Sequence, residues 1–232
     1  MNSNLSTGGN MRGAKQNDIV PAVVVVAMFI AGLISYPVLP DSIPVHWNIR
    51  GVADGFMKKN YFSALLFPLI TAGMWILFIF LPRIDPQKEK YTQFAKEYRV
   101  IRNILILFMG YLYSIFIANA AGLSIPVEKA LPAGLSIVFI VLGNLMGKIR
   151  QNYFVGFKFP WTLSNEEVWN RTHRLGGKLM VTAGLLTLIG MLISGFSAMV
   201  LLLGGLGVML AVTIVYSIVI HKKLTGEKMK LS

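Results

Sequence analysis

Long apolar runs without acidic or basic residues alternate with shorter polar stretches along this chain. Each run approaches the length of about 20 helical residues that crosses a hydrocarbon core of about 30 Å. None shows the period-2 alternation of a barrel strand, and a helix satisfies every backbone amide within its own segment. The pattern therefore predicts an all-α, polytopic membrane protein, a bundle of six transmembrane helices at residues 19–39, 61–82, 103–123, 130–147, 179–197 and 199–220.

Composition and charge agree with a membrane protein and predict its orientation. The chain is 55% hydrophobic and 14% charged, against about 25% charged residues in an average soluble domain. All but four of its 22 Lys and Arg residues lie before span one, between spans two and three, between spans four and five, or after span six. The four exceptions are Arg50, Lys58, Lys59 and Lys129. The positive-inside rule then predicts that both termini are cytoplasmic (N-in/C-in). The net charge of +12 is a topology signal, and direct nucleic acid binding is not expected.

The polar sequence divides the chain into three parts. Residues 1–18 are predicted to form a disordered cytoplasmic tail. Residues 19–82 predict an N-terminal two-helix unit with an external, turn-rich loop one at 40–60. Residues 83–232 predict a four-helix unit with a cytoplasmic loop four at 148–178.

Helix signals and glycines add local predictions at the polar connections. Asp85 followed by Pro86 indicates the start of a helix that runs into span three. Alternating aromatic residues from Tyr153 to Trp161 predict an extended strip at the membrane interface. Ser164 and Glu167 predict a capping box that opens a short helix, and the glycine pair at 176–177 would allow a bend before span five. A G-x-x-x-G at 143–147 is a signal for close helix packing.

The polar residues give little support for catalysis, metal binding or transport. A zinc site needs its ligands to converge on one ion, but the predicted topology places His46 outside and His173 and His221 inside. No H-E-x-x-H, G-x-S-x-G or P-loop pattern occurs, and the chain has no cysteine. The spans lack the ionisable groups at mid-depth that secondary transporters use. We therefore expect no enzyme activity, no metal and no cofactor.

Two stretches of the polar loops carry a family resemblance. They are LPDSIPVHWNIRGVADGFMKK at residues 39–59 and GNLMGKIRQNYFVGFKFPWTLSNEEVWNRTHRLGGK at residues 143–178. Both resemble the SdpI family of bacterial and archaeal membrane proteins, the first its associated N-terminal domain of unknown function and the second its signature. One departure is that Lys158 and Phe159 stand where members commonly have Arg and Thr. Lysine lacks the planar fork that arginine uses for a bidentate contact.

The resemblance implies a multi-pass protein of a bacterial or archaeal cell membrane that gives immunity to a secreted, membrane-active peptide toxin, or senses it. It also implies that a small autorepressor is held at the membrane once the toxin is sensed. Loop one would meet the toxin through the candidate residues His46, Trp47, Asn48, Asp54 and Lys58. Loop four would be a cytoplasmic signalling surface with the candidate residues Lys158, Trp161, Glu167, Trp169, Arg171, His173 and Arg174.

Other interpretations of the same residues stay open. Loop one could simply fold over the helix ends, and the aromatic residues of loop four could be only membrane anchors. For the whole chain, the second candidate function is a transporter or flippase of unknown substrate, and the third is a membrane-bound hydrolase.

Overall fold

The computed structural model describes residues 18–226, and within them six helices are long and apolar enough to cross a membrane. They are α1 (Ile19–Ser35), α2 (Tyr61–Ile84), α3 (Ala95–Ala120), α4 (Val127–Met146), α6 (Glu166–Met191) and α7 (Gly195–Thr225). A short helix, α5, spans Pro160–Ser164, and 3₁₀ helices cover Tyr36–Val38 and Lys88–Phe94. The predicted all-α, six-span architecture is confirmed. The predicted disordered tail lies outside the described residues except for Asp18.

Loop one contains the strands of the described chain, where the sequence predicted only turns. Strands β1 (Ser42–Trp47) and β2 (Ala53–Lys58) form an antiparallel hairpin. Ile43 pairs with Met57, and the register shifts between Pro44 and His46. In β1 the residues Ile43, Val45 and Trp47 alternate with Ser42, Pro44 and His46, which suits a ribbon covered on one face.

The helix starts around loop four differ from two predictions. Asn165, rather than Ser164, caps α6, since its side-chain oxygen accepts hydrogen bonds from the backbone N–H groups of Glu167 at 2.9 Å and Val168 at 3.1 Å. Ser164 is the last residue of α5, and its hydroxyl donates to the Trp161 carbonyl. The predicted capping box is therefore wrong. Asp85 does accept a hydrogen bond from the Gln87 N–H at 2.7 Å, but the chain then forms a 3₁₀ helix before α3 begins.

The glycine pair in α6 is a packing site and does not bend the chain. α6 runs without interruption from Glu166 to Met191, so the predicted bend is wrong. A Cβ atom on Gly177 would lie 2.5 Å from the carbonyl oxygen of Gly143 in α4, and one on Gly143 would lie 2.6 Å from the carbonyl oxygen of Gly177. These glycines let the two backbones touch, and the close packing predicted from the G-x-x-x-G is confirmed at Gly143.

Two clusters of buried apolar side chains lie at opposite ends of the bundle. The first gathers around the start of α3 and includes Phe94, Trp169 and Met146. The second gathers around the end of α3 and includes Tyr113 and Phe116, together with residues next to and within the hairpin. Because α3 has 26 residues and rises about 1.5 Å per residue, the two clusters support separate surfaces at the two ends.

Candidate functional site

The tip of the hairpin is a turn organised by Asn48. Its side-chain oxygen accepts hydrogen bonds from the backbone N–H of Arg50 at 2.9 Å and of Val52 at 3.2 Å. Its own N–H donates to the carbonyl of Val52 at 2.9 Å. Gly51 takes a φ of 73°, a left-handed conformation that favours glycine. Asn48 was a candidate for toxin contact, and in the structure its side-chain oxygen is used in the hydrogen bonds of this turn.

The inner face of the hairpin packs on the helices. Ile43 is fully buried in the cluster that contains Tyr113 and Phe116, and Val45 and Trp47 pack against the same cluster. Trp47 was also a candidate for toxin contact. Its ring lies on the inner face, so its role in the structure is to attach the hairpin to the bundle.

The outer face of the hairpin presents four exposed side chains of mixed chemistry. His46 and Asp54 form a pair across the strands, with 2.5 Å between Nδ1 and Oδ1. Phe56 is 57% exposed, and Lys58 is exposed beside it on β2. Sequence reasoning missed Phe56. The signal that could have found it is the period-2 order Asp54, Phe56, Lys58, which places all three on one face of a strand.

The hairpin is fixed at both its base and its tip. At the base, the Lys59 N–H donates to the Asp41 carbonyl at 2.8 Å, and the Lys59 ammonium donates to the Leu39 carbonyl at 2.7 Å. At the tip, a Cβ atom on Gly51 would lie 2.6 Å from the backbone nitrogen of Glu128, in the first turn of α4. The hairpin therefore lies across the helix ends as an ordered platform.

Loop four at the other end is closed by a buried carboxylate that comes from outside the loop. Asp85 is 2% exposed. It accepts hydrogen bonds from the Tyr91 hydroxyl at 2.9 Å, the Tyr153 N–H at 2.9 Å and the Gln87 N–H at 2.7 Å. Such a set of donors satisfies a carboxylate that would otherwise be costly to bury. Asp85 thus joins the end of α2 to the start of loop four.

Two buried amides hold the interior of loop four. The Gln151 amide nitrogen donates to the carbonyls of Thr162 at 2.9 Å and Leu163 at 2.8 Å, and its oxygen accepts from the Lys90 ammonium at 2.9 Å. The Asn152 oxygen accepts from the N–H groups of the two residues at 154–155. Satisfied side-chain amides of this kind fix irregular backbone in one conformation.

Two of the seven candidates for the signalling surface are buried. Trp169 and His173 are each 0% exposed, and their rings stack with centroids 3.8 Å apart. The Trp169 indole donates to the Ile149 carbonyl at 2.8 Å. Because both side chains are buried in the core beneath loop four, neither can belong to an exposed signalling surface. Trp169 does anchor this loop to α6.

His173 joins loop four to α6 as a neutral ring. Its Nε2 lies 2.9 Å from the Phe157 backbone nitrogen, whose N–H can only donate. Its Nδ1 lies 2.8 Å from the Trp169 carbonyl oxygen, which can only accept. The ring proton is therefore on Nδ1, and the lone pair of Nε2 accepts the hydrogen bond from the Phe157 N–H of loop four.

The remaining candidates of loop four are exposed or attached to α7. Lys158, Glu167, Arg171 and Arg174 are exposed, and Arg171 pairs with Glu167 at 2.6 Å one helical turn away. The Trp161 indole donates to the Ser217 hydroxyl of α7 at 2.8 Å. The predicted aromatic strip is only partly correct, since Tyr153 is 42% exposed whereas Phe157 packs on His173.

The metal-ligating side chains of the described residues do not converge, and one concavity lies on a single helix. Within 18–226, no group of three or more His, Asp and Glu side chains is placed to hold a metal ion. A shallow concavity of about 450 Å³ is lined by Ala211, Val212, Val215, Tyr216 and Val219. All five lie on α7, so this concavity is a groove on one helix and does not support a route between helices.

The fold defines a multi-pass membrane protein with an ordered hairpin at one end of its bundle and an ordered polar loop at the other. Comparison with known proteins then confirms the resemblance to the SdpI family. The model of the SdpI/YfhL protein family matches residues 148–217, and the domain of unknown function DUF1648 matches residues 23–72. The chain is 23% identical over 213 residues to Immunity protein SdpI of Bacillus subtilis (strain 168), across 92% of this chain and 100% of that protein. No solved structure matches significantly.

Proposed function

We propose that this chain is an immunity protein of a bacterial or archaeal cell membrane that protects against a secreted, membrane-active peptide without catalysing a reaction. The observation that carries this proposal is its similarity to an immunity protein over 92% of its length. The similarity extends through both polar regions, because the two matched domains include β1, β2 and loop four.

The outer face of the hairpin is the proposed contact for the peptide. It consists of His46, Asp54, Phe56 and Lys58. The positive-inside rule predicts that the hairpin end of the bundle is outside, where a secreted peptide would arrive. An exposed aromatic ring beside a cation and a His–Asp pair offers both apolar and charged contacts, which an amphipathic peptide can use. The fixed base and tip of the hairpin hold this face in position before binding.

Survival of expressing cells tests the role of the hairpin. The genes adjacent to this one would be searched for a toxin precursor, and a sensitive strain expressing the chain would be challenged with the synthetic peptide that such a gene encodes. Phe56→Ala and Lys58→Ala should lower survival. Leu123→Ala and Lys129→Ala are matched controls, because Leu123 is 63% exposed and Lys129 is exposed at the same end but outside the hairpin.

The outcome depends on comparing variants at equal membrane abundance, measured by immunoblot. Loss of survival in the two hairpin variants but not in their controls supports the proposed face. Wild-type survival in all four would show that the hairpin is not the contact. Failure of the wild-type chain to protect against the peptide would contradict the immunity function itself.

We further propose that loop four holds a small autorepressor at the membrane when the peptide is sensed. The exposed part of the candidate surface, Lys158, Glu167, Arg171 and Arg174, is the region available to such a partner. Arg171→Glu with Arg174→Glu should abolish induction of a reporter under the repressor while survival is retained. Parallel loss of induction, survival and protein level would instead indicate a structural role.

A further inference from the structure

One face of α6 carries a continuous row of charged side chains. Arg171, Arg174 and Lys178 are all exposed and are spaced three and four residues apart, which places them on the same side of a helix. The opposite side of this segment is buried and includes Trp169, His173 and Gly176.

The same face continues directly into the part of α6 that contacts lipid. Thr182, Leu185 and Ile189 follow at the same helical spacing, and Leu185 is 50% and Ile189 56% exposed. Exposed apolar side chains on a membrane-spanning helix contact acyl chains. The cations thus stand directly above a lipid-facing surface.

The depth of these cations agrees with the headgroup layer. With a rise of about 1.5 Å per residue, Arg174 lies about 6 Å beyond Lys178 along the helix, and Arg171 about 10 Å beyond it. The headgroup layer on one side of a bilayer is about 5 to 7 Å thick. If Lys178 marks the hydrocarbon boundary, Arg174 lies within the headgroup layer and Arg171 lies beyond it, on the aqueous side.

Little acidic charge within the protein neutralises this row. Glu167 is paired with Arg171, and within residues 18–226 neither Arg174 nor Lys178 forms an ion pair. A Cβ atom on Gly147 would lie 3.3 Å from Cγ of Arg174. The glycine therefore makes room for the arginine stem where α4 ends, and the exposed Lys148 follows immediately.

From this arrangement we propose that Arg174 and Lys178, with Lys148 beside them, form a binding site for an anionic phospholipid headgroup. The phosphate of the headgroup would be held by the guanidinium and an ammonium group, while the acyl chains pack along Leu185 and Ile189. The continuity of the row with the lipid-facing surface favours a lipid over an acidic protein segment. This proposal does not depend on the proposed immunity function, and the site shares Arg174 with the surface proposed for the autorepressor.

Lipid binding to the full-length protein tests the site. The purified chain in detergent would be titrated with phosphatidylglycerol or with phosphatidylcholine of the same acyl chains, and bound lipid would be counted by native mass spectrometry. The wild type should prefer phosphatidylglycerol. Each cation near a membrane surface contributes about fivefold in affinity, so Arg174→Gln with Lys178→Gln should weaken phosphatidylglycerol binding by about 25-fold and leave phosphatidylcholine unchanged.

Three controls make the result specific. Lys129→Gln removes a cation at the other end and should leave the preference intact. Arg174→Lys with Lys178→Arg keeps both charges and should also retain it, and inorganic phosphate should not displace the lipid. If the double glutamine variant does not fold, as judged by its thermal unfolding, each single variant should still lose about fivefold.

Two results would overturn the proposal. One is equal phosphatidylglycerol affinity in the wild type and the glutamine variants. The other is an equal loss in Lys129→Gln, which would indicate a general charge effect. Unchanged lipid binding together with loss of autorepressor capture would assign the row to a protein partner instead.

Discussion

The contact between α4 and α6 gives a sharp test of the fold, through the substitution Gly177→Ala. The added methyl carbon would lie 2.5 Å from the Gly143 carbonyl oxygen and 2.9 Å from Cβ of Met146. Favourable contacts between carbon atoms lie at about 3.5 to 4.0 Å. The oxygen belongs to the backbone of a helix and cannot rotate away as a side chain would. The two helices must therefore separate by close to 1 Å at this crossing.

The cost of this separation follows from known overpacking effects. Inserting a methyl group into a closely packed contact costs about 1 to 3 kcal/mol. For a chain of this size, about 2 kcal/mol lowers the midpoint of thermal unfolding by about 4 to 8 °C. Thermal unfolding of the purified protein in one detergent, followed by tryptophan fluorescence, would measure the change.

The matched control is Gly204→Ala on α7, where an added Cβ would meet nothing within 4 Å. Alanine is a better helix former than glycine by up to about 1 kcal/mol, so this variant should melt at or slightly above the wild-type temperature. The difference between the two variants isolates the contact from helix propensity. Equal melting temperatures in Gly177→Ala and Gly204→Ala would refute the close α4–α6 crossing.

Three other predictions concern the two ends of the bundle. Asp85→Ala should lower the free energy of unfolding by about 3 kcal/mol because three donors lose their acceptor, and Asp85→Asn should lower it less. Equal melting temperatures of the wild type and the alanine variant would count against the hydrogen bonds to Asp85. Trp47→Ala should reduce protein abundance by detaching the hairpin, unlike Phe56→Ala, and a normal level would contradict its packing role. In this cysteine-free chain, Arg50→Cys should react with an impermeant thiol reagent on intact cells and Ser164→Cys only after permeabilisation; the reverse would invert the topology.

The spans were predictable because a hydrocarbon layer imposes length, apolarity and internal hydrogen bonding on each segment. The role of the glycine pair in α6 could not be predicted from the sequence. A glycine signals only that the local backbone can bend or be approached closely. Which of the two occurs depends on Gly143 in another helix, and the sequence of α6 holds no information about that neighbour.

The candidate site was only partly predictable for the same reason. His173 lies between Arg171 and Arg174 in the sequence and was grouped with them. In the helix it points to the opposite side, and its burial depends on a backbone N–H donor at Phe157, which precedes it by 16 residues. In loop one, the density of prolines, glycines and asparagine predicted turns, and a register shift interrupts the strand pairing. A short, irregular ribbon leaves a weaker signal than a long helix.

The sequence division at 82–83 separates two units that the structure packs together. The Tyr113 hydroxyl of α3 donates to the Ala64 carbonyl of α2 at 2.8 Å, and the Tyr98 hydroxyl donates to the Phe78 carbonyl at 2.7 Å. Asn60 caps the start of α2, since its side chain accepts from the Ser63 N–H at 2.8 Å, and the Ser63 hydroxyl donates to the Lys58 carbonyl of the hairpin at 3.0 Å.

α2 thus connects the base of the hairpin to the start of loop four. Asp85 follows the last residue of α2, and its carboxylate accepts a hydrogen bond from the Tyr153 N–H of loop four. A continuous helix between two sites is a physical connection, whereas coupling also requires an element with two arrangements that both sites bias. Because the substituted side chains on the outer hairpin face and on α6 are exposed, we expect these variants to leave the buried contacts of α2 unchanged. A loss of induction caused by a hairpin variant that still binds the peptide would therefore report coupling rather than damage to the bundle.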